Sequence, residues 1–377
     1  MNYAQQDIAE HRSGDHANGI WRFAKWLPVV PSNQQITLGE GNTPLVESRN
    51  LGKEMGLSAL HFKLEGANPT GSYKDRISAL GVSLALTQGK AGCIGTSSGN
   101  AGASAAAYAA RAGIPYYLYV LENILQAKLV QAALHQALIT RIQGFGVSAE
   151  IGERVFEWIE EQAKERNLET MITAYKYNAY AMEAVKTISF ELAQQLVSCP
   201  VPDAVFIPVG GGGLYAGISN GFRQLRQLGR IDSIPQLAAV QSEGCSNIVR
   251  AWTSGEEVPA PGDSTSMISG LQVPNPPDGE RVLESLNSKE GFGVSVRDSD
   301  VWYWQERLSA QEGIWCEPAA AVSLAGVAQA VKDGRLKAGG SAVCILTGAG
   351  YKDGERAAAM AGVQGNIPLI DIHRLEN

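Results

Sequence analysis

HFKLEGANPTGSYKDR, from His61 to Arg76, is the stretch around which the rest of the chain is organised. The alternation from His61 to Leu64 predicts a short strand. Gly66, Asn68, Pro69 and Gly71 predict a turn, with a helix beginning near Ser72. Lys74 then falls in the first turn of that helix, where unpaired N–H groups and aligned peptide dipoles make the potential positive. A cation gains nothing there, so the field favours the neutral amine, the form that attacks a carbonyl to make a Schiff base. An exposed lysine paired with Asp75 is the plainer alternative. The glycine-rich turn and the downstream pattern weigh against it.

Working outward, the apolar, aromatic run from Trp21 to Pro31 is expected to pack on the body as an arm, after a polar and mobile stretch over 1–20. Strands are predicted at 91–95, 115–120, 137–142, near Met171, and at 204–209, 237–241 and 341–348. Between them helices are predicted from about 100, over 124–136, 148–165 and 178–197, and from Gly213, Val301 and Cys316, while 253–280 reads as loop. Strands alternating with helices make an α/β chain of two domains, each a mostly parallel sheet with helices on both faces. The natural boundary makes 86–184 a smaller inserted domain and joins 1–85 to 185–377 as the larger one.

At 377 residues the chain is long enough for two such domains sharing a cleft. A net charge of −7 argues against a nucleic acid or an anionic membrane as the main partner. Five cysteines without CxxC or CxxH spacing exclude a patterned metal site and suit reduced thiols in the cytoplasm. The N-terminus has no apolar core for a signal peptide, and no window supplies the roughly 20 apolar residues of a membrane helix.

Three further junctions carry chemistry. Gly210, Gly211, Gly212 and Gly213, followed by Leu214, lie between a buried strand and a helix, where inward N–H groups and the helix dipole make a phosphate cradle. A tight turn is the alternative, but four consecutive glycines exceed what a turn requires. GGGG is also not the GxGxxG of dinucleotide folds. Ser97, Ser98, Gly99 and Asn100 open another helix, where a cap alone could account for them. Thr347 ends the last strand, and the carboxyl ends of parallel strands are where ligands bind.

NPTGSYKDR (68–76), GEGNTPL (39–45) and SSGNAGASAAAYAARAG (97–113) together resemble the tryptophan-synthase β-subunit family of pyridoxal-phosphate enzymes (fold type II), and within it the threonine-synthase group. The likeness runs from about Trp21 to about Asp353 with its motifs in family order. It implies that pyridoxal 5'-phosphate lies in the cleft between the domains, with Lys74 as its Schiff-base lysine. It further implies that Gly210 to Leu214 cradle the phosphate, that Asn100 meets the phenolic oxygen, and that the loop of Thr96, Ser97, Ser98, Gly99, Asn100 and Ala101 holds a substrate carboxylate. Thr347 would hydrogen-bond the pyridine nitrogen. A hydroxyl cannot protonate that nitrogen as a carboxylate would, which suits elimination and replacement at Cβ or Cγ.

The likeness fails at the substrate's distal end. Setting the register on Lys186-Thr187 places Tyr175 and Lys176 where the group carries an Asn-Ser pair that binds the substrate phosphate, and Ala181 where it has an arginine. Ala349 stands at the group's histidine. Lys176 is then the remaining cation for a substrate. The expectation is a lyase or synthase acting at Cβ of a small polar or anionic amino acid, working as a homodimer. Conversion of O-phosphohomoserine to threonine and a non-catalytic cofactor-binding homologue are the alternatives.

Overall fold

The computed structural model describes residues 19–97, 99–145, 149–197 and 201–362; the expected mobile stretch up to residue 18, Ser98 and Cys199 lie outside them. Among the described residues ten strands follow in chain order: β1 (Leu45–Glu47), β2 (Ala59–Leu64), β3 (Gly92–Thr96), β4 (Tyr116–Val120), β5 (Leu138–Arg141), β6 (Leu168–Thr170), β7 (Ala204–Pro208), β8 (Gln236–Ser242), β9 (Gly291–Val296) and β10 (Ser341–Leu346). They form a six-stranded sheet, ordered β1-β2-β10-β7-β8-β9, and a four-stranded sheet, ordered β5-β4-β3-β6. Every pairing is parallel except the edge pair β1–β2. Six helices position the site: α1 (Lys74–Thr87), α2 (Asn100–Ala112), α3 (Tyr175–Met182), α4 (Lys186–Gln195), α5 (Gly213–Gln227) and α6 (Pro318–Lys332).

The central strands are apolar throughout because both faces of the larger sheet are covered. In β7, Ala204 and Phe206 enter one core and Val205 and Ile207 the opposite one; in β10, Ala342, Cys344 and Leu346 alternate with Val343 and Ile345 in the same way. A period-2 backbone buried on two sides gives a continuous hydrophobic run. The second half of α1 and the N-terminal arm pack with the smaller sheet, through Leu80, Val82 and Leu84 on the helix and Ile20, Trp21 and Leu27 on the arm.

Three expectations change. β9 was not anticipated, because Gly291 and Gly293 break its apolar alternation; a Cβ at Gly291 would lie 1.9 Å from the Leu237 carbonyl oxygen of β8. The helix expected over 178–197 is instead α3, a 3-10 turn over Glu183–Val185, and α4. Asn178 leaves helical geometry and its Oδ1 accepts from the Ala181 N–H at 3.0 Å, so it restarts the helix as a cap. The helix expected over 124–136 contracts to Val130–Leu134 after a 3-10 turn.

The turn between β2 and α1 is fixed by a buried ionic cluster. The Arg76 guanidinium grips Glu65 with two bonds of 2.8 Å and Glu191 of α4 with bonds of 2.7 and 2.8 Å. Lys63 of β2 adds a 2.6 Å bond to Glu191, and the side chains of all four residues are fully buried. Burial pushes the Glu191 carboxyl up, but the Arg76 guanidinium, with Lys63 and Arg22 behind it, outweighs burial and holds it well below the usual carboxylate range. Two cations and two anions cancel, which is the condition for keeping such a cluster inside.

Glu191→Ala leaves Arg76 and Lys63 buried without their shared partner and is expected to cost about 3–5 kcal/mol in urea unfolding. Arg223→Ala, removing a pair with Glu290 that is about one-third exposed, is expected to cost at most about 1 kcal/mol. Because the folded value of Glu191 is depressed, its contribution is complete above the unfolded carboxylate value and is lost only as pH falls through the folded one. Equal losses in the two variants would show that the cluster is not the anchor.

Candidate active site

Four strand ends converge at the cleft. β2 leads through the turn to Lys74, β3 through Ser97 to Asn100, β7 through Gly210–Gly213 to α5, and β10 runs into Thr347. The lysine turn is zipped to the end of β10: Ser72 bridges Gly348, the Tyr73 N–H donates to the Thr347 carbonyl at 3.0 Å, and the Ala349 N–H donates to the Gly71 carbonyl at 2.9 Å. Backbone bonds therefore set the distance between Lys74 and Thr347.

Lys74 is the first residue of α1, following a Tyr73 cap that offers no side-chain acceptor. Its amine donates to Thr173 Oγ1 at 2.7 Å and lies 4.6 Å from the centre of the Tyr73 ring. Thr173 follows β6, so the lysine reaches from the larger sheet toward the end of the smaller one. Its neighbour Asp75 is buried; burial raises its carboxyl, while the Thr70 hydroxyl and N–H oppose that rise. Asp75 is thus occupied by Thr70, and the surface Lys74–Asp75 pair does not form.

The glycine run is closely packed at each position, and Gly212 is the one where a side chain is least tolerable. A Cβ would stand 3.2 Å from the Gly270 carbonyl oxygen at Gly210, 3.1 Å from Pro277 at Gly211, 2.8 Å from the Asp278 carbonyl oxygen at Gly212 and 2.6 Å from Met182 at Gly213. Gly212 also has a φ of 95°, a conformation that side chains disfavour. Among the described residues no acceptor is paired with the N–H groups of Gly210, Gly211 or Gly212. Close-packed walls on one side and free donors on the other make an anion cradle.

Ser97, at the mouth of α2, uses its hydroxyl to accept from the N–H groups of Gly99 at 3.0 Å and Gly102 at 2.8 Å, so it caps the helix. Asn100 donates to the carboxylate of Glu317 at 2.9 and 3.2 Å, and Thr347 donates to the same group at 3.4 Å. Burial raises the Glu317 carboxyl, and the Asn100 bond only partly opposes it. Lys128, whose stem lies beside Gly99, donates to the Ser269 hydroxyl of the larger unit.

Lys176 does not stand where the sequence register placed it. Its side chain is exposed, with the amine 5.4 Å from the Tyr177 ring centre. Tyr175 is buried with its hydroxyl donating to the Met182 carbonyl, and Ala181 is fully buried. What α3 turns toward the cleft is its N-terminal backbone: the N–H groups of Tyr175 and Lys176 donate to the Asp278 carboxylate at 2.8 and 3.0 Å. Asp278 is tied to the cradle through its own N–H to the Gly211 carbonyl at 2.9 Å. Thr173, Asp278 and Glu317 escaped the sequence reading. Only Thr173 left a signal there, as the residue just past a strand end.

Residues 36–348 match the family model described as "Pyridoxal-phosphate dependent enzyme". The chain belongs to that family. It is 34% identical over 354 residues to a threonine synthase of Methanocaldococcus jannaschii, covering 93% of this chain and 84% of the relative. It is 33% identical to a threonine synthase of Mycobacterium tuberculosis, covering 88% and 87%. Among solved structures, threonine deaminase isoform 2 from Solanum lycopersicum superposes with a TM-score of 0.70 at 18% identity, covering 92% of this chain and 93% of that one. Diaminopropionate ammonia lyase from Escherichia coli does so with a TM-score of 0.71 at 16% identity, covering 90% and 96%. These structural likenesses carry the fold: fold type II, two mostly parallel sheets with helices. The chain is a threonine-synthase-like enzyme whose cofactor is pyridoxal phosphate.

The residues present fit that cofactor: a lysine amine, glycine N–H groups without an acceptor among the described residues, and two polar side chains, Asn100 and Thr347, that meet at Glu317. Borohydride reduction of the loaded protein followed by peptide mapping is expected to leave the pyridoxyl mass on the peptide containing Lys74. A mass on any other lysine would refute this placement. Gly211→Asp, which crowds Pro277 and sets a negative charge among the free donors, is expected to weaken cofactor binding by more than about tenfold, or about 1.4 kcal/mol. Unchanged affinity would make the loop a structural turn.

Proposed function

We propose that this enzyme catalyses elimination or replacement at Cβ of a small polar α-amino acid, and that O-phosphohomoserine is not its preferred substrate. In this reading Lys74 holds the cofactor covalently, Gly210 to Leu214 receive its phosphate, and Asn100 and Thr347 meet the two polar edges of its ring. The loop from Thr96 to Ala101 receives the substrate carboxylate. When bound, pyridoxal phosphate supplies an electron sink that acidifies the bond at Cα. Once the substrate's own amine has replaced it on the cofactor, the freed amine of Lys74 would take the Cα proton, with Thr173 as the acceptor that orients it. The leaving group departs from Cβ with its bonding pair, and water or a second nucleophile completes the reaction.

The observation that carries the substrate class is Asp278. Its carboxylate fills the N–H groups at the start of α3, the stretch that aligns with the phosphate-binding pair of the threonine-synthase group. A helix N-terminus attracts anions; here the anion belongs to the chain. An incoming phosphate would meet a like charge, a juxtaposition that costs several kcal/mol. Asp278 therefore favours the polar half of the sequence expectation over the anionic half. The competing reading is O-phosphohomoserine conversion to threonine, favoured by the identity with the threonine synthases over most of their length.

The cytoplasm is the compartment we propose, supported by buried, unpaired thiols at Cys93, Cys245, Cys316 and Cys344. A homodimer is the proposed assembly, supported by exposed apolar side chains at Val130, Leu134 and Leu138.

The test compares kcat/KM for serine, threonine, 2,3-diaminopropionate, phosphoserine and O-phosphohomoserine, reading ammonia, keto-acid, phosphate and threonine. A small uncharged or amino-bearing substrate is expected to lead. Asp278→Asn is expected to raise the ratio of anionic to neutral turnover by about tenfold or more. Threonine made from O-phosphohomoserine at the highest kcat/KM of the set would reverse the assignment.

A further inference from the structure

Glu317 is the N-cap of α6, yet its side chain makes no capping bond to that helix. A carboxylate in that position ordinarily accepts from the first free N–H groups. This one turns into the cleft and joins two residues from opposite sides: Asn100 of α2, at 2.9 and 3.2 Å, and Thr347 at the end of β10, at 3.4 Å. The space it occupies is reserved for it, because a Cβ at Gly348 would lie 2.3 Å from Glu317 Oε1. Its backbone is locked to the same residue, the Glu317 N–H donating to the Gly348 carbonyl at 3.1 Å. Among the described residues no cation forms an ion pair with it; Lys352, a positive charge acting on it from a distance, donates instead to the Thr70 carbonyl and to Gln131, each at 2.7 Å.

A threonine hydroxyl has a single proton. In this arrangement Thr347 spends it on Glu317 and keeps only lone pairs for whatever lies on its other side. Such a hydroxyl matches a ring nitrogen that carries a hydrogen, and opposes one that does not. We propose that Glu317 is a positioning residue that acts through Thr347 to keep the pyridine nitrogen of the bound cofactor protonated. The proton balance closes within the three groups. A neutral Glu317 gives its O–H proton to the Thr347 oxygen, and the Thr347 hydroxyl proton passes to the nitrogen. The result is a carboxylate, a hydroxyl and an N–H cation. Burial raises the Glu317 carboxyl and so favours its protonated form, the proton source this relay needs. A lone threonine would leave the ring a weak electron sink; the carboxyl behind it restores the strong one.

The inference rests on the reading that places Thr347 at the ring nitrogen, and the experiment separates the two. The holoenzyme is loaded with pyridoxal phosphate labelled with nitrogen-15 in the ring, and the nitrogen resonance is read by NMR in the wild type, Glu317→Gln and Thr347→Ala. The wild type is expected at the pyridinium position, with both variants displaced toward neutral pyridine. Glu317→Ala replaces Glu317→Gln if the latter does not load. A neutral-pyridine signal in the wild type overturns the proposal. A signal displaced by Thr347→Ala but not by the Glu317 variants overturns it while leaving the site reading in place. A pyridinium signal indifferent to all the variants overturns both.

Discussion

The guanidinium of Arg76 is the constraint from which the rest of the site follows. It lies two residues beyond Lys74 and holds both Glu65, just past β2, and Glu191, on α4. Strand, turn and helix therefore leave the cluster in fixed directions, and Lys74 is delivered to the cleft with little freedom. The same cluster explains the GEGNTPL segment, whose role here is structural. The N–H groups of Asn42 and Thr43 donate to Glu191, the Thr43 hydroxyl donates to Glu65, and the Gly41 N–H donates to Asn68 of the lysine turn. Such a network is costly to assemble from water and costly to break in part. It locks the chain where catalysis needs the least slack.

From that anchor the site is laid out by backbone. The lysine turn bridges the end of β10, which in turn bridges Cys316 and Glu317 at the start of α6. Three segments distant in sequence thus form a short irregular ladder at the floor of the cleft. The opposite wall comes from the smaller sheet, through Asn100, Thr173 and the start of α3. Polar bonds across the cleft, among them Lys74 to Thr173, Asn100 to Glu317, Lys128 to Ser269 and the start of α3 to Asp278, join the two walls. In this structure these polar groups on both walls are satisfied by one another.

What the sequence made legible were features carried by local chemistry. Lys74 at a helix start, the glycine run after β7 and the alternation of strands and helices all depend on neighbours a few residues away. β9 was hidden because close approach to β8 demands glycine where the pattern demands an apolar side chain. The helix drawn as continuous over 178–197 is interrupted by the 3-10 turn at Glu183–Val185, and the turn of helix before Asn178 was missed because that asparagine restarts the helix as an internal cap. Asp278 and Glu317 act on residues 103 and 217 positions away, so no local pattern could assign them. The register that put Lys176 at the substrate could not show that its side chain is exposed and that its N–H is taken by Asp278.

Asp278 also changes how this pocket should be understood as a competition. A free anion seeking the start of α3 must displace a carboxylate attached to the same molecule and held against the glycine loop by its own N–H. Tethering gives such a group an effective concentration in the millimolar range or above, without any loss of translational freedom on binding. Dissolved phosphate at ordinary cellular levels is therefore an inefficient occupant of that position. On the reading proposed above, this tethered carboxylate would compete with any anionic substrate for the start of α3.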